Sequence, residues 1–244
     1  MTPMIRNAWL APALLCLALL PLAGHATTSG SGRTATEERA LPGFEAIALD
    51  GSIDLQVRQG TPQAVQVSAD DNLLPLLQTT VEPTAQGATL RVGWQRGQSV
   101  STRSPVLVTV VLPRLGSLAL SGAGDVVVDS FETPALQVSL SGSGDVKLPN
   151  LRTGELGIRI AGSGDVGGSG QATKLKVSIA GSGDVKLADL LADEVSVKIA
   201  GSGDAAVFAQ KTLDVSIAGS GDVSYRGDAV VRKSVAGSGS VTRK

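Results

Sequence analysis

A Gly-Ser-Gly-Asp tetrapeptide recurs along the second half of the chain, and this repeat limits the fold more than any other feature. Its seven copies begin at Gly122, Gly142, Gly162, Gly181, Gly201, Gly219 and Gly237, so the steps are 20, 20, 19, 20, 18 and 18 residues. Ala123 replaces the first serine and Ser240 replaces the last aspartate. A nearly fixed period is typical of solenoids, in which a unit buries its apolar face only by stacking on its neighbours.

Each repeat combines an alternating segment with a glycine corner. Residues 175–180 alternate apolar and polar side chains, which is the period of a half-buried strand. Stacking would align the inward columns Leu136/Leu156/Leu175/Val195/Leu213, Val138/Ile158/Val177/Val197/Val215 and Leu140/Ile160/Ile179/Ile199/Ile217. The sequence therefore predicts an all-β fold, a right-handed single-stranded β-helix (β-solenoid) of ~20-residue repeats. A β-propeller fits less well, because its blades need about 40 residues each.

The remaining sequence divides the chain into four segments. Residues 1–26 resemble a signal peptide, with Arg6 before an apolar run and the small residues Gly24 and Ala26 before a cleavage site. Residues 27–40 are rich in Thr, Ser, Gly and charge, and predict a flexible linker. Residues 41–115 predict an N-terminal β region that caps the solenoid of residues 116–244, with 41–244 forming one continuous domain. We expect no transmembrane span in the mature chain and an exported protein in the periplasm, on the cell surface or secreted.

The mature chain lacks the side chains that most enzyme chemistry needs. The only cysteine and the only histidine of the full sequence, Cys16 and His25, lie in the predicted signal peptide, so the mature chain can form neither a Ser-His-Asp triad nor an ordinary zinc site. The 21 basic and 22 acidic residues form no basic stripe, and aromatic residues are scarce, which argues against nucleic-acid binding. We therefore predict no enzyme, although paired carboxylates leave a glycan-cleaving β-helix as a less favoured alternative.

Several segments resemble a known family. These are residues 43–47, 51–55, 70–74 and 118–125, followed by the Gly-Ser-Gly-Asp copies. Together they are similar to the GIN-domain family, a domain of unknown function named for a proposed autotransporter adhesin head. The resemblance covers about Phe44 to Gly239 and implies an exported bacterial β-helical domain with no established activity.

The repeat aspartates have two interpretations. Asp125, Asp145, Asp165, Asp184, Asp204 and Asp222 should stack in one column at about 4.8 Å spacing. In the first interpretation each carboxylate accepts hydrogen bonds from turn amides or a neighbouring serine hydroxyl. In the second the column binds Ca²⁺, a cation that takes 6 to 8 oxygen ligands. No other cofactor is expected.

An outward row beside the corners is a candidate partner surface. It consists of Ser139, Arg159, Ser178, Lys198 and Ser216. The favoured function is a non-catalytic, adhesin-like binding or structural module of the bacterial envelope, with an envelope polysaccharide, a surface protein or a second copy of the chain as partner. A calcium-stabilised extracellular repeat module is the alternative.

Overall fold

The computed structural model describes residues 27–244 and is a β-solenoid of about six turns, as the repeat predicts. The predicted signal peptide lies outside the described residues. No helix within residues 27–244 has the length and apolarity to cross a membrane. The N-terminal strands are β1 Thr27–Ser29, β2 Thr34–Glu38, β3 Ala46–Gly51, β4 Asp54–Gln59, β5 Ala64–Asp70, β6 Leu77–Thr84, β7 Gly87–Trp94, β8 Ser99–Ser101 and β9 Leu107–Leu112. The later strands are β10 Ser117–Gly122, β11 Val126–Val128, β12 Glu132–Gly142, β13 Val146–Gly162, β14 Val166–Gly181, β15 Val185–Gly201, β16 Ala205–Gly219, β17 Val223–Arg226, β18 Val230–Gly237 and β19 Val241–Arg243.

Every coil places the residues before its glycine corner in one sheet, here called sheet A, which is parallel except for its edge strand β6. Sheet A contains β6, β7, β3 and β10, then residues 136–142, 156–162, 175–181, 195–201 and 213–219, then β18. The residues after the corner form sheet B, which includes β9, β4, β11 and residues 146–148. From residue 136 to residue 219 the pairing within sheet A has no register shift, so equivalent residues of successive coils face the same side.

The predicted inward columns form the core. All fifteen side chains of these columns are buried, and the least buried, Val215, is only 3% exposed. Burial of one such aliphatic side chain stabilises the fold by about 1.5–3 kcal/mol. The intervening side chains point outward, because successive residues of a strand alternate between the two faces of a sheet. The core is therefore a continuous apolar rod made of stacked, nearly identical layers.

The corners bring the backbones of successive coils into close contact. Gly181 has a φ of +138°, and a Cβ added to it would lie 2.2 Å from the carbonyl oxygen of Gly162. A Cβ on Gly183, whose φ is not positive, would lie 2.2 Å from the carbonyl oxygen of Gly164. The same Gly162 oxygen accepts hydrogen bonds from the amides of Ser182 (3.0 Å) and Gly183 (3.2 Å). Glycine occurs at both corner positions because a side chain would separate the coils.

The N-terminal region continues the same sheets, but not in chain order. Strands β3 and β4 form a coil that lies between β7 and β9 on one side and β10 and β11 on the other, all in parallel pairing. Beyond them, β6 pairs antiparallel with β7, and β5 pairs antiparallel with both β9 and β2. A 3₁₀ turn, Leu74–Leu76, connects β5 to β6. Strands β5 and β6 thus cover the outer edges of β9 and β7, which would otherwise expose unpaired backbone groups.

The prediction of a flexible linker for residues 27–40 is wrong. Strand β1 pairs with β8, and β2 pairs with β5. Asp70, a buried residue, accepts hydrogen bonds from the amides of Gly32 (2.9 Å) and Arg103 (2.8 Å) and from the Ser104 hydroxyl (2.9 Å). The Ser- and Gly-rich composition suits this tight contact with Asp70, since a Cβ on Gly30 would lie 2.0 Å from an Asp70 carboxylate oxygen.

Candidate functional site

The repeat aspartates form a column of hydrogen bonds that runs from coil to coil. The backbone amide of each aspartate donates to Oδ1 of the aspartate one coil earlier, over N···O distances of 2.8–3.1 Å. At the end of the column, the amide and hydroxyl of Ser240 donate to Oδ1 of Asp222 over 2.7 and 2.8 Å. The carboxylates therefore accept turn amides, but from the next coil and not from their own corner.

This arrangement offsets the repulsion between stacked carboxylates. Burial opposes ionisation of Asp165, yet the hydrogen bond from Lys186 Nζ (2.6 Å) and the amide of Asp184 outweigh it and hold the pKa of Asp165 below its ordinary value. The Asp165 carboxylate in turn raises the pKa of Lys186. Within residues 27–244, no group of three or more acidic side chains is placed to hold a metal ion. The structure thus gives the aspartates a structural partner, and their role as calcium ligands stays a hypothesis.

Sequence reasoning missed one member of this column. The amide of Asp125 donates to Oδ1 of Asp54 over 3.0 Å, and Gly51 pairs with Gly122. Gly51-Ser52-Ile53-Asp54 is therefore an earlier copy of the corner. The signal was present as the shared spacing of Gly, Ser and Asp, but the roughly 70 residues inserted before the next copy hid it.

The predicted outward row lies on sheet A, with its members paired in register. Arg159 pairs with Ser139 on one side and Ser178 on the other, and Lys198 lies between Ser178 and Ser216. All five side chains are exposed. Because paired strands are about 4.8 Å apart, Arg159 and Lys198 are separated by about 10 Å along the rod axis.

The two cations of this row differ from their neighbours in having no ion pair. In the next row, Lys176 Nζ lies 2.9 Å from Glu155 Oε1. Among the residues that the structure describes, no carboxylate oxygen lies within salt-bridge distance of Arg159 or Lys198. Beside them, the exposed residues Ala161, Ala180, Ala200 and Ala218 keep the surface flat. The row therefore presents two exposed positive charges, three hydroxyl groups and a floor of methyl groups to an elongated ligand.

Comparison with known proteins identifies the family. Residues 43–229 match the family described as "putative auto-transporter adhesin, head GIN domain". A crystal structure of a "putative adhesin" from Bacteroides fragilis has a TM-score of 0.84 at 24% identity, covering 89% of this chain and all of that one. A comparison with curated protein sequences gives no match.

Two structures from Parabacteroides distasonis share the fold. One, named a "putative adhesin", has a TM-score of 0.72 at 23% identity, and the other, named a "putative lipid binding protein", has a TM-score of 0.71 at 24% identity. Each match covers 90% of this chain and all of the other. At these sequence identities the similar structures establish only the fold, and the match of residues 43–229 to the family establishes the family membership. The chain belongs to the GIN-domain family.

Proposed function

We propose that the chain is an exported, non-catalytic binding module of the bacterial envelope that presents sheet A to an extended acidic polysaccharide. The observation that carries the proposal is the row of Ser139, Arg159, Ser178, Lys198 and Ser216, held in register across five coils. The signal-like residues 1–26 and the adhesin family support export and binding.

The rigidity of sheet A supports recognition of a polymer. The inward side chains of its central coils are buried and its corners are in backbone contact, so the outward side chains project from a rigid backbone at fixed spacing. A ligand that lies along the rod axis would meet equivalent positions every 4.8 Å or so. Preorganisation of this kind favours affinity, because little conformational freedom is lost on binding.

The charge pattern supports an acidic ligand. Arg159 and Lys198 have no carboxylate partner among residues 27–244, and serine hydroxyl groups alternate with them along the axis. Residues 27–244 contain neither His nor Cys, so no residue of these types could activate those hydroxyl groups as nucleophiles. Ion pairs and hydrogen bonds to a polymer are the interactions that such a surface offers.

The proposal is tested with polygalacturonate as the acidic polymer and dextran as the neutral one. We expect the protein to bind polygalacturonate and not dextran in titration calorimetry, and the affinity to fall as salt is raised past about 0.1 M, where the Debye length is about 10 Å. The double variant Arg159→Ala/Lys198→Ala should weaken binding about three- to thirtyfold, as expected for two exposed ion pairs of about 0.3–1 kcal/mol each.

The matched control removes the same charge from other faces of the rod. Lys147 and Arg152 are exposed and, like the row cations, have no ion pair within residues 27–244. The variant Lys147→Ala/Arg152→Ala should bind polygalacturonate as the parent protein does. Equal losses in the two double variants would show a non-specific charge effect and would overturn the assignment of sheet A as the binding face.

A further inference from the structure

A second feature of sheet A is a groove at its N-terminal end. The groove has a volume of about 570 Å³ and is lined by outward residues of β6, β7, β3 and β10 together with the residues that follow β7. This volume falls within the ~300–1,000 Å³ of small-molecule sites. It lies on the same face as the outward row and directly beside it, because Ala119 of the groove pairs in register with Ser139, the first residue of the row.

Small residues form the floor of the groove and long polar residues form its walls. Gly93, Ala48 and Ala119 occupy adjacent strands, and Arg91 pairs in register with Ala48. Gln78 pairs with Gly93 from the edge strand β6. The depression therefore follows from the register, which sets short side chains between long ones.

The polar groups of the groove contrast with those elsewhere in the N-terminal region. Asp70, Asp71 and Asn72 are occupied by hydrogen bonds that fix residues 29–33 and 103–104. In the groove, only Arg91 makes an ion pair, with Glu82 at 3.7 Å. The side chains of Asp50, Gln78 and Arg96 are exposed and make no hydrogen bond to any residue from 27 to 244. A carboxylate, an amide and a guanidinium group thus converge with their hydrogen-bonding capacity unused.

Trp94 adds the apolar surface. It is the only tryptophan in the described residues, and it lies half-buried at the end of β7, in line with Gly51 of the corner. Its Cδ1 atom would lie 3.5 Å from a Cβ on Gly51, so part of the indole covers that corner while another part lines the groove. The indole N–H donates to no acceptor within residues 27–244 and is not buried, so it can donate a hydrogen bond to a ligand in the groove.

We propose that this groove is a binding subsite for a neutral saccharide unit. The indole of Trp94 packs against the C–H face of a sugar ring, and Asp50, Gln78 and Arg96 hydrogen-bond to its hydroxyl groups. The charges of Asp50 and Glu82 balance those of Arg91 and Arg96, which favours an uncharged ring over a phosphate or uronate. The inference rests on the proposed function and deepens it: the polysaccharide seated on sheet A would carry acidic units that meet Arg159 and Lys198 and neutral units that occupy this groove.

The test uses chitohexaose, cellohexaose and maltohexaose as neutral probes with the full chain. We expect at least one of them to bind in titration calorimetry and to change the tryptophan fluorescence, and Trp94→Phe to weaken the binding that calorimetry measures. Gln78→Ala, an exposed substitution that leaves the core intact, should weaken binding about tenfold, which corresponds to about 1.4 kcal/mol. The matched control is Gln171→Ala, an exposed glutamine on another face, which should bind as the parent protein does.

The outcomes separate this inference from the proposed function. If no hexasaccharide binds at about 10 mM, or if Gln78→Ala and Gln171→Ala bind equally, the groove is not a saccharide subsite. Polygalacturonate binding that depends on Arg159 and Lys198 would then still support the row. Conversely, hexasaccharide binding that depends on Gln78, with no polygalacturonate binding, would retain the groove and reject the row.

Discussion

The close contact between coils at the glycine corners can be tested with four Gly→Ala variants that separate backbone strain from steric overlap. Gly43 has neither a positive φ nor an atom within 4 Å of an added Cβ. Gly87 has a φ of +96° and open space. Gly183 has the steric overlap without the positive φ, and Gly181 has both. The four variants therefore cover every combination of positive or non-positive φ with open space or steric overlap.

The expected losses follow from this geometry. Gly43→Ala should change the free energy of unfolding by no more than about 0.5 kcal/mol, and Gly87→Ala should lower it by about 1–3 kcal/mol through backbone strain. At Gly183 the added Cβ would lie 2.2 Å from a carbonyl oxygen, and relief would stretch three hydrogen bonds, those of the Ser182, Gly183 and Asp184 amides. Their loss would cost about 1.5–4.5 kcal/mol. Gly181→Ala adds the strain, giving roughly 2.5–7.5 kcal/mol.

The assay is equilibrium unfolding in guanidinium chloride followed by circular dichroism. Both the midpoint and the slope are compared, because a lower slope would show that the array has split into parts that unfold separately. We expect the order Gly43→Ala, Gly87→Ala, Gly183→Ala, Gly181→Ala from most to least stable. A Gly183→Ala midpoint equal to that of Gly43→Ala would refute the reasoning, since the coils could then separate at no cost.

Three further predictions concern the acidic side chains. Asp184→Asn keeps an acceptor for the Asp204 amide and removes a repulsion of about 0.9 kcal/mol per neighbour in water, so this variant should unfold at or above the parent midpoint. Asp184→Ala removes the acceptor and should lower the free energy of unfolding by about 1–3 kcal/mol. The reverse order of stability would contradict the column of amide hydrogen bonds. Calcium at millimolar concentration should leave the melting temperature of the parent unchanged, and a rise that a chelator reverses would instead support the calcium hypothesis. The hydrogen bond from the Arg103 amide, with others from Ser104 and Gly32, holds the pKa of Asp70 below its ordinary value of 3.8 although burial opposes this. The ionised Asp70 therefore stabilises the fold above pH 3.8, and this stabilisation is lost as the pH falls through the lowered pKa. Asp70→Asn should therefore lower the melting temperature at pH 7 and reduce its dependence on pH below about 4, and an unchanged acid profile would show that Asp70 does not carry it.

The repeat made the solenoid predictable because one physical rule acts at every coil. An alternating segment such as residues 175–180 has one buried face, and a shift by one residue would place Val177 outward. Adding the glycine spacing determines which residues stack, so the inward columns could be written down correctly from the sequence. The outward row follows from the same register, and its five residues are exposed and paired on sheet A, while their role as a partner surface stays a prediction.

Prediction failed where contacts depend on parts of the chain that do not repeat. The linker assignment rested on composition, but composition does not reveal that Asp70 binds the amides of Gly32 and Arg103. The groove brings Asp50 together with Gln78 and Arg96 because β7 lies beside β3, out of chain order. No local pattern in the sequence encodes that neighbour, so the site was visible only in the structure.

The irregular repeat length shows which face of the solenoid is kept constant. The steps between corners vary from 18 to 20 residues, yet the pairing from residue 136 to residue 219 in sheet A is unbroken. The register shifts all fall outside sheet A, between Leu148 and Leu151, between Gly167 and Ser169, between Leu187 and Leu191, and between Ala192 and Glu194. Insertions and deletions are thus absorbed on the far side of the rod, and the axial spacing of the outward residues on sheet A is preserved. Because the axial spacing of the outward side chains on sheet A does not depend on coil length, one coil can change its outward residue without displacing those of its neighbours. Recognition of a repeating polymer requires such a fixed spacing of the contacting side chains.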